Sequence, residues 1–259
     1  MPHPRAIGTR ALVTGASSGI GAEFARQLAA DGLDLVLIAR DATRLNALAE
    51  ELRAVHDVRV EVLPADLLTT AGVKAAEARV AASVNRIDVL VNNAGFGLRR
   101  PFDENPVDDE LHLLSLLVEV PLRLTHAALS HMLPAGAGTI INIASVAGYT
   151  PFGSYSAAKS WLLSFSRWAN AAYRRRGVRV TAVAPGFVRT EFQQRAGSGL
   201  DTRVPAPLWL SAPEVVRAAL IDTRRGRGVS IPSLRYKVVV AAAKLVPDAI
   251  ALRAVRTGR

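Results

Sequence analysis

Cysteine is absent from this chain, which removes disulfides, thiolate nucleophiles and thiolate metal ligands, and suits a reducing, cytoplasmic setting. Lysine is scarce: Lys74, Lys159, Lys237 and Lys244 are the only four among 32 basic residues, so arginine is the default cation and a lysine asks for a reason. No uninterrupted apolar run approaches the ~20 residues of a membrane span, and Met1 to Arg10 has no apolar signal core. The five histidines, His3, His56, His112, His126 and His131, form no ligand pair with a carboxylate, so no metal is expected. Aromatics make up 5% of the chain, and its basic end offers only Tyr236 for stacking, which argues against nucleic acid.

What is present is a half-apolar chain of 259 residues, enough for one sizeable core. The net charge of +10 is uneven, because Arg224 to Arg259 holds nine basic residues against Asp248 alone and accounts for +8 of it. The reading is a body over residues 1–234 and a basic, partly apolar tail over 235–259, as one or two short helices broken at Pro247. Apolar residues with basic neighbours suit an anionic membrane surface, a pocket or a subunit interface. The last two are favoured, since the tail's alanines weaken a membrane grip.

Within the body, β-rich runs at 10–14, 34–39, 58–63, 87–91, 138–144, 178–184 and 229–232 alternate with helical patterns at 19–31, 41–55, 70–84, 107–133, 155–176 and 213–224. Mostly apolar strands alternating with helices predict a parallel sheet covered on both faces, with ligands bound beyond the carboxyl ends of the strands. The residues just after each strand are therefore the ones to inspect. After the first comes Thr14-Gly15-Ala16-Ser17-Ser18-Gly19-Ile20-Gly21. Its glycines let a phosphate approach the backbone, and the following helix supplies free N–H groups.

Arg40 follows the second strand and suits a ribose 2′-phosphate, whereas an acid there would hold a 2′-hydroxyl. NADP(H) is thus expected over NAD(H), with Asp41 as the N-cap of the next helix. Asp66, after the third strand, either meets adenine or caps a helix. Asn92-Asn93-Ala94-Gly95, after the fourth, is a turn and a candidate cofactor lining. Ser145 follows the fifth, and ten residues on stands Tyr155-Ser-Ala-Ala-Lys159. Residues four apart share a helix face. An ammonium beside the phenol is expected to lower its pKa toward neutrality, making Tyr155 a general acid or base.

Taken together and in this order, the glycine turn, Asn92-Asn-Ala-Gly95, Ser145, Tyr155-x3-Lys159 and Pro185-Gly186 resemble the short-chain dehydrogenase/reductase family over residues 8–232. The resemblance implies a Rossmann fold of about seven parallel strands with a nicotinamide dinucleotide across it. It implies that Tyr155 exchanges a proton with the substrate oxygen, that Lys159 binds the nicotinamide ribose, and that Ser145 holds the carbonyl. It places Gly15, Ser17, Ser18, Gly19, Ile20, Asp66, Asn92, Ala94, Gly95, Pro185, Gly186, Val188 and Thr190 against the cofactor.

Two departures stand out. Ser145 and Tyr155 are 10 apart where the family has 13, and Leu117 stands where the family carries an asparagine that links the lysine to water. The irregular stretch 187–212, with Phe187, Phe192, Leu200, Leu208 and Trp209, is similar to the family's substrate-covering loop and points to an apolar or acyl-bearing carbonyl compound. An NADP(H)-dependent carbonyl reductase or alcohol dehydrogenase is the leading expectation. A cofactor-binding sensor or regulatory subunit is the alternative, supported by Leu117. The resemblance also implies a homodimer or homotetramer through 107–133 and 155–176, with Leu117, Trp161, Phe165 and Trp168 available for the shared face.

Overall fold

The computed structural model describes residues 8–98, 100–192 and 204–245. Seven strands form one parallel sheet in the order β3-β2-β1-β4-β5-β6-β7. They are β1 (Arg10–Thr14), β2 (Asp34–Ala39), β3 (Val60–Pro64), β4 (Val89–Asn92), β5 (Gly138–Ile143), β6 (Val178–Val183) and β7 (Val229–Ser230). Side chains alternate across a strand, so a sheet buried on both faces needs apolar residues at successive positions. Ala11 and Val13 accordingly join the core under helices α1 (Gly19–Ala30), α2 (Ala42–Val55) and α7 (Ala212–Arg224). Leu12 joins the opposite core, under α3 (Thr70–Ala81) and α5 (Val120–Ala135). The strand order reverses between β1 and β4, which opens a crevice at their carboxyl ends.

The expected single helix over 107–133 is divided. Helix α4 (Val107–Leu114) passes into a widened π turn at Ser115–Glu119 before α5 begins. Pro121 supplies the reason. It has no N–H for the Leu117 carbonyl four residues back, and its ring would strike that carbonyl, so a regular helix does not run through. By length and composition Val107–Ala135 is apolar enough to cross a membrane. In the fold its buried side chains, Leu124, Ala128 and Met132, pack on the sheet beside α3.

The remaining helices are α6 (Gly153–Tyr173) and α8 (Leu234–Leu245). On helix α8, Tyr236 and Val240 are buried, and Tyr236 belongs to the α1/α7 core. Pro247, and the break expected there, lie outside the described residues.

Candidate active site

The glycine turn leaves β1 at Thr14 and enters α1 at Gly19. Gly15 and Gly19 hold φ of +65° and +56°, a region that disfavours side chains. Gly21 packs so closely on the Gly15 carbonyl and the Asn93 amide that any Cβ would collide with both. Ser18 occupies the N-cap position of α1 without a side-chain bond to the helix, so its hydroxyl leaves the first N–H donors uncapped.

Asn93 secures this turn. Its Nδ2 donates to the Thr14 carbonyl at 2.9 Å and the Gly15 carbonyl at 3.2 Å. In return, the Thr14 hydroxyl accepts from the backbone N–H groups of Asn93 and Ala94 at 2.9 and 3.0 Å. Asn92, expected to line the cofactor, turns its side chain elsewhere. Its Nδ2 donates to Asn142 Oδ1 at 2.8 Å, and Asn142 Nδ2 donates to Ser166 Oγ at 2.9 Å, inside the protein. Strand alternation explains this, because Asn92 shares its face with Leu90, beneath α5.

The other rim residues are distributed as follows. Arg40 is exposed at the end of β2, and Asp41 caps α2 by accepting from the Arg44 N–H at 3.0 Å. Asp66 Oδ1 accepts from the Leu68 N–H at 3.0 Å, while Thr69 is the residue that caps α3. Thr190 folds over Gly19, with its side chain 3.1 Å from where a Cβ would stand. Its neighbour Glu191 takes both oxygens to Arg44 Nη1 at 2.7 and 2.9 Å, tying the loop after β6 to the start of α2. Pro185 is buried and its carbonyl accepts from the Val146 N–H at 3.0 Å. Val188 is likewise buried and pairs with Leu210. Gly186 lies directly on the Tyr236 ring, which leaves no room for a side chain.

Ser145, Tyr155 and Lys159 converge at the carboxyl end of β5. The Ser145 and Tyr155 hydroxyls are hydrogen-bonded to each other, and Ser145 Oγ accepts from the Ala147 N–H at 3.1 Å. The shortened loop between them is a single 3-10 turn, Val146–Tyr149, so three fewer residues still bring the two together. Lys159 is buried, its Nζ 5.7 Å from the Tyr155 ring centre and donating to the Ile143 carbonyl at 2.6 Å.

The expected drop of the Tyr155 pKa is not what this environment produces. Burial pushes the phenol up to about 12, against a smaller opposing effect of the Ser145 hydrogen bond. Lys159 is itself pushed down to about 8 by burial, and its Nζ is bonded to a carbonyl. Desolvation is the leading cause of both shifts.

Leu117 is 1% exposed, not on a shared outer face. With Leu113 and Ala158 it builds an apolar wall on which the Tyr155 ring and Phe96 pack. On the ring's other approach stands Phe192, 6.3 Å centre to centre. Farther along the loop, Phe187 and Trp209 lie 5.7 Å apart, whereas Leu200 is outside the described residues.

Residues 9–201 match the family model described as short chain dehydrogenase. The chain belongs to the short-chain dehydrogenase family. A short-chain dehydrogenase from Sphingobium yanoikuyae in complex with NADPH superimposes with a TM-score of 0.83 at 37% identity, over 92% of this chain and 94% of that one. The bulky-bulky ketone specific alcohol dehydrogenase from Comamonas testosteroni gives a TM-score of 0.79 at 32% identity, over 92% and 93%. Gluconate 5-dehydrogenase from Gluconobacter oxydans is 32% identical over 240 residues, 87% of this chain and 92% of the relative. This short-chain dehydrogenase is therefore an NAD(P)-dependent oxidoreductase. Its crevice fits a dinucleotide: Gly15 and Gly19 hold the left-handed backbone of a tight turn, and the Ser18 side chain leaves the helix start that follows uncapped.

Sequence reasoning took Asn93 only as part of the Asn92–Gly95 turn, without its role in securing the glycine turn, and gave Tyr236 no role of its own in the site. The Tyr236 hydroxyl accepts from the Phe187 N–H at 3.1 Å and donates to the Leu208 carbonyl at 2.7 Å. The available signal for Tyr236 was a lone aromatic ahead of an otherwise aliphatic helix.

Proposed function

We propose that this enzyme reduces an apolar or acyl-bearing ketone or aldehyde with NADPH, using Tyr155 as the proton donor. The observation that carries the reading is the phenol itself: hydrogen-bonded to Ser145 and held protonated by burial, it is in the acid form that carbonyl reduction consumes. When bound, the dinucleotide supplies the hydride. Ser145 orients the carbonyl oxygen toward the phenol. Tyr155 then gives that oxygen its proton as the carbonyl carbon becomes the alcohol carbon, and the phenolate left behind is stabilised by protonated Lys159. The walls around Tyr155, Leu117 on one side and Phe192 on the other, exclude water and favour an apolar substituent.

Arg40, exposed and without a hydrogen bond or ion pair to another described residue, is the group proposed to select the 2′-phosphate. A dimer or tetramer is proposed through the outer faces of α4 and α6, where Leu111, Leu114 and Trp168 are exposed, and where Phe165 stacks on Trp161 at 4.9 Å. Buried Leu117 takes no part in that face.

NADPH oxidation followed by absorbance across a panel of apolar ketones and aldehydes tests the reading. Turnover that falls by about 10²–10⁴ in Tyr155→Phe, with NADPH affinity retained, is the expected result. Leu117 favours a second reading, an NADP(H)-binding sensor, because its side chain gives water no hydrogen bond beside the catalytic helix. Tight NADPH binding with no oxidation by any carbonyl in the panel would select that one.

A further inference from the structure

A second concave site lies away from the dinucleotide crevice, where the outer edge of the sheet meets α6 and α8. It is a groove of about 370 Å³. Val229 and Ile231 give it apolar walls, and Arg167, Arg227 and Lys237 give it cations from three separate elements. Two of the three, Arg227 and Lys237, come from the basic end of the chain, where residues 224–259 carry +8 of the net charge, and Arg167 is brought to them by the fold.

Each cation is presented differently. Arg167 is fixed: its Nη2 donates to the Tyr149 hydroxyl at 2.9 Å, and its guanidinium carbon stands 5.5 Å from the centre of the Tyr149 ring. Arg227 is neutralised, its Nη1 2.8 Å from Asp222 Oδ1. Asp222 is buried, and its other oxygen accepts from Ser230 Oγ at 2.8 Å, so the groove's one acid has spent its charge and its hydrogen bonds inside the protein. Lys237 is exposed on α8, and its side chain makes no hydrogen bond or ion pair with another described residue. Among the described residues, the balance is two cations without an acidic partner, Arg167 and Lys237, facing a groove whose acid is already paired.

We infer that this groove is a binding site for a phosphate-type oxyanion. A guanidinium held in one orientation presents parallel donors that match a phosphate, and an ammonium opposite it adds a movable point charge. The surroundings admit two sources of that anion. A soluble phosphate ester fits the volume and rests its body on Val229 and Ile231. A phospholipid headgroup fits the adjoining surface, because Leu234 and Val238 are one turn apart, exposed, and on the same outer side of α8 as Lys237. The inference depends on neither the substrate nor the cofactor preference proposed above.

The test uses the full-length protein saturated with NADP⁺, so that phosphate does not report on the glycine turn. Inorganic phosphate and glycerol 3-phosphate are titrated by calorimetry against chloride at equal ionic strength. In parallel, flotation is measured with phosphatidylcholine vesicles with and without phosphatidylglycerol. Binding in either arm is expected to weaken about tenfold in Arg167→Gln and in Lys237→Gln. It is expected to persist in Arg175→Gln, which removes the same charge from an exposed position elsewhere. Response to the soluble anions identifies a metabolite site, and response to phosphatidylglycerol vesicles alone identifies a headgroup site. No binding in either arm, or equal binding by all four proteins, or equal weakening in Arg175→Gln, overturns the inference.

Discussion

Lys159 Nζ lies 2.6 Å from the Ile143 carbonyl, so the one lysine of α6, buried, is anchored to the end of β5. That bond fixes where the amine sits but does not repay the full cost of burying its charge, and its pKa falls from 10.5 to about 8.

A pH dependence follows. Between about pH 8 and 10.5 the unfolded chain keeps the Lys159 proton while the folded chain releases it. Stability measured against Lys159→Met, where nothing titrates, therefore rises across that interval, by about 3 kcal/mol, and is flat below it. Tyr155 acts in the opposite sense, retaining its proton up to about 12 and lowering stability from pH 10 upward, but it is present in both proteins and cancels. Denaturant unfolding of the pair at pH 7, 9 and 10.5 measures the difference; a constant gap would mean that the amine is solvated.

Removing the Asn93 side chain leaves the Thr14 and Gly15 carbonyls without their donor. Asn93→Ala is expected to cost about 1–3 kcal/mol of stability and to weaken NADPH binding, with kcat at saturating cofactor nearly intact. Asn92→Ala is expected to lower stability while sparing cofactor affinity, since its amide belongs to the interior. Thermal unfolding and NADPH fluorescence titration separate the two.

Tyr236 holds two parts of the loop that carries Phe192 toward Tyr155, at the Phe187 N–H and the Leu208 carbonyl. Tyr236→Phe keeps the ring on Gly186 and loses both bonds. A rise in KM for the carbonyl substrate is expected, together with a loss of about 1–3 kcal/mol in stability and an unchanged Kd for NADPH. An unchanged KM would reduce Tyr236 to a packing residue.

Arg40→Ser is expected to raise KM for NADPH about tenfold or more while leaving NADH kinetics in place, because a charge-assisted pairing with phosphate is lost and nothing else is touched. Steady-state kinetics with both cofactors checks it. Equal effects on the two would assign 2′-phosphate recognition to another residue.

Apolar strands alternating with amphipathic helices are one-dimensional patterns, which is why the seven strands and their parallel direction followed from the chain itself. The family resemblance set Ser145 beside Tyr155 and Lys159, whereas the helix face those two share was readable from their spacing of four. Three-dimensional facts were not. Which of two adjacent asparagines faces the glycine turn depends on where β4 ends, and a boundary error of one residue exchanges them. The π turn was signalled by Pro121 four residues after Leu117, yet reading it requires following the carbonyl rather than the side-chain pattern. The phenol's pKa was misjudged because spacing reports a neighbour's charge and says nothing of how much water both groups lose.

The buried line of Asn92, Asn142 and Ser166 has a mechanical consequence for the enzyme. Apolar contacts grip without regard to direction, so a helix lying on a greasy sheet is free to creep along its axis at little cost. Ser166 Oγ donates to the Leu162 carbonyl at 2.7 Å while accepting from Asn142, so one hydroxyl pins α6 like a dowel set through two boards. Tyr155 and Lys159 ride on that same helix, and their distance from the end of β5 is thereby set from below, several turns away from any reacting atom.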